Sequence, residues 1–137
     1  VLTESFYWDM NDRTRSFAKR AIGAGFDPAM RPNMSQAACY SGTRHYLRAV
    51  AQLGAAEAKR SGAAVAARMK QMPIEDDIYD HATIRGDGRV LSPAYLFQVK
   101  RPGESHGPWD YYTTLATVAP EQAWRPLAEG GCPLVRI

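Results

Sequence analysis

The stretch AYLFQV, Ala94 to Val99, is apolar on both faces of an extended chain: Tyr95, Phe97 and Val99 alternate with Ala94 and Leu96. That pattern fits a strand covered on both sides, as in a sheet flanked by helices, and it sets the expectation of an α/β fold. Just upstream, Ala82-Thr83-Ile84 and Val90-Leu91 flank Arg85-Gly86-Asp87-Gly88-Arg89. An Asp-Gly pair between apolar runs predicts a tight hairpin. The Arg-Gly-Asp tripeptide resembles a cell-adhesion signal, yet Gly-Asp-Gly is also what a reversing backbone requires, and we read it as turn chemistry. Downstream, Trp109 to Val118 is aromatic and Thr-rich and predicts a further strand. Between the two strands, residues 101–108 form a turn-rich crossing suited to a hinge.

The first half reads as helices. Asp9 or Asn11 offers an N-cap, and Phe17, Ala18, Ala21 and Ile22 recur at helical spacing until Gly23 and Gly25, which predicts a helix over about residues 10–23. After Pro28 and Pro32, Asn33-Met34-Ser35-Gln36 has the form of a capping box. The helix it starts has small residues (Ala37, Ala38, Ser41, Gly42) suited to close packing, and Tyr40, Leu47 and Val50 as the bulk of its apolar stripe, before Gly54 ends it. Residues 54–62 read as a surface connection with frayed helix. Ala64, Val65, Met69 and Met72 then predict a third helix up to Pro73.

At 137 residues, 45% hydrophobic and 23% charged, the chain has the composition of one ordinary globular domain. A net charge of +3 does not point to nucleic acid, because the basic residues are dispersed as pairs with carboxylates between them. No apolar run approaches the roughly 20 residues of a membrane-spanning helix. The opening Val1 to Trp8 has neither the basic start nor the cleavage site of a signal peptide, and it reads as the inside of a longer protein.

Catalytic and metal constellations are missing from the sequence. No Gly-x-Ser-x-Gly elbow surrounds a serine, and His45, His81 and His106 lack paired spacing on a helix face. The run Glu75 to His81 lacks the spacing of a Ca²⁺ loop and reads as a solvated turn. No cofactor, metal or enzymatic activity is expected. Cys39 and Cys132 form either one disulfide or two inert thiols. Phe6-Tyr7-Trp8-Asp9 follows an apolar opening strand and precedes a helix, and in open α/β sheets that loop lies at the ligand-binding edge. Tyr7 and Trp8 are therefore candidate ligand-binding residues, against the alternative that the aromatics pack under the first helix. Met34 and Gln36, at the next helix start, are candidates on the same grounds, with the capping box as their alternative role.

Taken together, FYWDMNDRTRSFAKR, QAACYSGTRHYLRAV, IRGDGRVLSPAYLFQVKRPGESHGPWDYY and AWRPLAEGGCPL resemble the C-terminal part of the branched-chain amino-acid type of ABC-transporter substrate-binding proteins. Within that family the words look most like a subgroup that includes receptors for small aromatic and other organic acids as well as amino acids. The resemblance implies part of a type I periplasmic-binding-protein fold, two Rossmann-like α/β lobes joined by three crossings with a ligand held between them. Residues 1–100 would complete the N-terminal lobe, and residues 101–137 would supply the third crossing and the C-terminal return segment. It further implies a periplasmic solute-capture component that delivers a small organic acid or amino acid to a membrane ABC permease, or a receptor's sensor domain with the same fold. A periplasmic location would permit a Cys39–Cys132 disulfide. Alone, the piece would leave sheet edges open and associate with itself or with the missing N-terminal part.

Overall fold

Two asparagines set the helical half in place. The computed structural model describes residues 1–131, Pro133 and Val135. Helix α1 spans Asp12–Gly23, and α2 spans Met34–Leu53. The Asn33 side chain accepts from the Ser35 and Gln36 amides at 3.0 and 3.1 Å, while Gln36 Oε1 accepts from the Asn33 amide at 2.9 Å. That is the capping box expected from the sequence, a feature whose loss costs about 1 kcal/mol. Asn11 caps α1 in the same reciprocal way through Thr14. The helix starts at residue 12 rather than 10 because the Met10 and Asn11 amides are spent on the Thr14 hydroxyl.

Gly54, at φ 82°, breaks the helical path after α2. The connection expected beyond it is itself helical, α3 (Ala55–Arg60), and Ser61 then caps α4 (Gly62–Gln71) through the Ala64 amide. On α2 the buried face is mostly small, Ala37, Ser41 and Ala49 with His45 among them, one residue per turn. Small side chains allow close approach, and Val65 and Met72 pack against Ala49 there. The bulky stripe expected from Tyr40, Leu47 and Val50 is accordingly split, with Leu47 left 57% exposed.

Strand β1 (Leu2–Glu4) pairs antiparallel with β4 (Ala94–Val99), which pairs antiparallel with β5 (Tyr112–Val118). A separate hairpin joins β2 (Thr83–Ile84) to β3 (Val90–Leu91). Its loop turns as the sequence predicts: the Gly88 amide donates to the Arg85 carbonyl, Gly88 has φ 86°, and Arg85 grips Asp87 with two nitrogens. Phe97 is completely buried at the centre of the three-stranded sheet. The two-sided cover expected of β4 is not found along its whole length, since Gln98 and Val99 are exposed where the strand runs past β1 and pairs with β5 alone. Strand β5 starts at Tyr112 rather than Trp109, because residues 109–111 are held in a pinned turn.

The acidic run after Pro73 is not the solvated turn its composition suggests. Asp76 accepts from the Ile78 and Tyr79 amides with one oxygen and from Ser41 with the other at 2.6 Å. Asp77 accepts from Tyr40 at 2.9 Å and faces Arg20 and Arg44. The loop is thereby tied to both long helices, and Phe6, Phe17, Ala37 and Ile78 close a core beneath it. Among the described residues no helix is long and apolar enough to cross a membrane. Cys39 is exposed on α2; the other cysteine, Cys132, with which it was open to pair, lies outside the described residues.

Candidate functional site

The loop after β1 carries three aromatics in a row, and alternation sends them to different places. Phe6 enters the core at 3% exposure and meets Phe17 edge to face. Tyr7 turns toward the sheet, 5.7 Å from Phe97 and 4.9 Å from Tyr112 between ring centroids. Trp8 stays half-buried at the surface. The packing reading is realised for Phe6, under α1, while Tyr7 and Trp8 reach the turn between β4 and β5.

That turn is fixed by a shared acceptor. The Tyr7 hydroxyl and the Trp8 indole both donate to the Trp109 carbonyl, at 2.5 and 3.0 Å, and the Tyr7 oxygen accepts from the Tyr111 amide at 3.0 Å. Trp109 has φ 70°, the left-handed region, which for a large side chain costs of order 1–3 kcal/mol unless neighbours hold it there. The three hydrogen bonds do so. Burial pushes the Tyr7 phenol above its ordinary value, with the nearby Asp110 and Asp9 carboxylates adding to burial and the amide bonds opposing it. The phenol is thus kept protonated as a donor. Behind it, Lys100 and Asp110 pair at 2.5 Å and brace the base of the turn.

Beside this clamp lies a cavity of about 180 Å³ whose walls include Trp8, Trp109, Tyr111 and Tyr112. Two charged side chains line it, Glu4 at the end of β1 and Arg31 on the loop before α2. The Arg31 guanidinium sits 5.2 Å from the Trp8 ring centroid and is anchored to the Met30 carbonyl at 2.8 Å. Stacking on an indole holds a guanidinium without neutralising it. Burial pushes the Glu4 carboxyl above its ordinary value. The cavity therefore offers aromatic walls, one cation and one carboxyl group, chemically matched to a small acid or a zwitterion, in a volume below the roughly 300 Å³ from which small-molecule sites usually start.

The four residues singled out in the sequence do not converge. Tyr7 and Trp8 line this cavity, Met34 lines a separate hollow with Ser5, Ala94 and Trp124, and Gln36 lies toward a groove between α1 and α2 while its oxygen serves the cap. Arg31, Trp109 and Glu4 were not evident as partners. Only the Pro-flanked position of Arg31 hinted at a fixed loop, and the Trp109 contact spans 102 residues.

Comparison with known proteins follows the same lines. The periplasmic binding protein family matches residues 1–106. The structure is similar to a crystal structure of a periplasmic binding protein from Burkholderia mallei, at 36% identity and a TM-score of 0.86, covering 98% of this chain and 34% of that one. It is similar as well to a branched chain amino acid ABC transporter periplasmic ligand-binding protein from Burkholderia xenovorans LB400, at 39% identity and 0.84, covering 96% and 33%. An amino acid ABC transporter substrate-binding protein from Pseudomonas fluorescens Pf-5 shares the fold at 18% identity and 0.68, over 94% and 32%. No protein of curated function matches the sequence. The chain spans about a third of the length of these solved relatives. With the family matched over most of its length and the α/β fold of that family in place, the chain belongs to the periplasmic binding protein family.

Proposed function

We propose that the whole protein is the periplasmic solute-binding component of an ABC importer, capturing a small organic acid or amino acid between two lobes and presenting it to a membrane permease. The single observation that carries the ligand class is the cavity in which Glu4 and Arg31 share aromatic walls with Trp8 and Trp109. A guanidinium matches a carboxylate in shape and charge, and a carboxyl group in the same lining can take an ammonium; aromatic walls suit an aliphatic or aromatic body. A branched-chain amino acid or an aromatic carboxylate fits that description. Tyr7 and Trp8 serve here as ligand-facing residues, and Met34 and Gln36 as second-rank candidates on the adjoining faces. Residues 1–100 complete one lobe, and the 101–137 segment makes the return crossing, with β5 pairing back onto β4 across that boundary. The closed form is favoured by as much as the ligand prefers it over the open form.

The test is a thermal-shift panel on the full-length protein with branched-chain amino acids, aromatic carboxylates and short fatty acids. A ligand at about 100 times its Kd stabilises by roughly 2.7 kcal/mol, a shift of several degrees. A shift with one class identifies the cargo. No shift with any of them, in folded and ligand-free protein, refutes capture of these solutes.

A further inference from the structure

On the other side of the β1 end lies a second hollow that the aromatic cavity does not use. It measures about 440 Å³ and is bounded by Ser5, Tyr79, the 87–90 turn, Ser92 and Trp124. Its volume falls in the range of small-molecule sites, about 300–1,000 Å³. Trp124 is held as a wall: its indole N–H donates to the Ser92 carbonyl at 2.7 Å, and the Arg89 guanidinium lies 4.9 Å from its ring centroid.

The charges around it do not cancel. Asp87 is taken up by Arg85 at 3.0 and 2.7 Å, whereas the Arg89 guanidinium has no carboxylate partner among the described residues. Ser5, Ser92 and Tyr79 put three hydroxyl-bearing residues on the lining, and Ala38 and Val90 add apolar surface. One uncompensated cation beside an indole, in a hollow lined by three hydroxyl-bearing residues, suits an anion of single charge with an apolar body better than a dianion.

We propose that this hollow is a second binding site, separate from the aromatic cavity, which takes a small organic monocarboxylate on Arg89 with its body against Trp124. It stands whether or not the solute-capture reading holds, because the two cavities have different walls.

The test follows the indole N–H signal of Trp124 in full-length protein carrying ¹⁵N-tryptophan, with the signal assigned by Trp124→Phe. Benzoate and inorganic phosphate are titrated separately. Benzoate is expected to move the Trp124 signal saturably, with phosphate at least about tenfold weaker. Arg89→Gln is expected to weaken benzoate about tenfold, the scale of one lost charge-assisted hydrogen bond, and Arg89→Lys to keep part of the binding. Arg31→Gln, which removes the guanidinium lining the aromatic cavity, leaves the Trp124 titration unchanged. A Trp124 signal that does not move, or that moves equally in Arg89→Gln, overturns the proposal; a response abolished by Arg31→Gln assigns the effect to the aromatic cavity and overturns it equally.

Discussion

Replacing Tyr7 by Phe removes one oxygen and, with it, two hydrogen bonds that cross about a hundred residues of sequence: the 2.5 Å bond to the Trp109 carbonyl and the 3.0 Å bond from the Tyr111 amide. The ring stays, so packing on Phe97 and Tyr112 is kept. Each lost bond is worth roughly 1 kcal/mol net. The Trp109 carbonyl retains the Trp8 indole, while the Tyr111 amide loses its acceptor at a part-buried position. The expected loss is about 1–2 kcal/mol. Trp8→Phe removes the other donor to the same carbonyl, and in the double variant nothing from this loop holds Trp109 at its unfavourable φ. The two losses should therefore be non-additive, with an interaction of at least about 0.5 kcal/mol. Urea unfolding of wild type, both single variants and the double variant of the full-length protein measures this cycle. A Tyr7→Phe loss below about 0.3 kcal/mol, or strict additivity, would refute the clamp as a coupled unit.

Ser41→Ala removes the 2.6 Å bond to Asp76 while leaving that carboxylate its two amides, and urea unfolding should register a loss of about 1–2 kcal/mol. At His45, 2% exposed, Nε2 meets the Met69 carbonyl at 2.9 Å but Nδ1 has no partner; His45→Leu should cost under about 1 kcal/mol, against roughly 2–4 for the cavity left by His45→Ala, and equal losses would contradict this. Burial pushes the Asp77 carboxyl up, but the bonds from Tyr40 and Arg20 outweigh it and hold its pKa below the ordinary 3.8. A depressed carboxylate contributes stability above pH 3.8 and loses it as pH falls through the folded-state value, so Asp77→Asn should flatten the acid limb of a urea midpoint profile. Produced alone, the 137-residue chain should self-associate through the open edge of β5 and the exposed Leu47 and Tyr46 of α2; light scattering giving a stable monomeric mass would count against it.

The legible parts of this fold were those written locally. The Asn33 to Gln36 box and the Gly-Asp-Gly turn are decided by groups within a few residues of one another, and both appear where the sequence places them. The face of α2 was misjudged for the complementary reason. Period alone does not say whether a helix buries its large residues or its small ones, and α4 approaches closely enough to select Ala49 over Leu47. Residues 75–81 look solvated from composition, and only the distant partners Ser41, Tyr40 and Arg20 reveal them as anchors. At the candidate site Tyr7 and Trp8 were accessible to position arguments. Trp109 was not, since nothing in a turn-rich segment announces a left-handed tryptophan whose carbonyl serves two donors from the other end of the chain.

The pairing of Leu2 with Phe97 has a consequence in time. Helices α1 to α4 and the β4–β5 pair form from neighbouring residues, whereas β1 joins the sheet only after a loop of more than ninety residues has closed, at an entropic cost that grows with its length. On that entropic ground strand β1 and the aromatics that follow it are expected to join the sheet late, after the folding barrier. Weakening them should leave the refolding rate nearly untouched and appear almost entirely as faster unfolding.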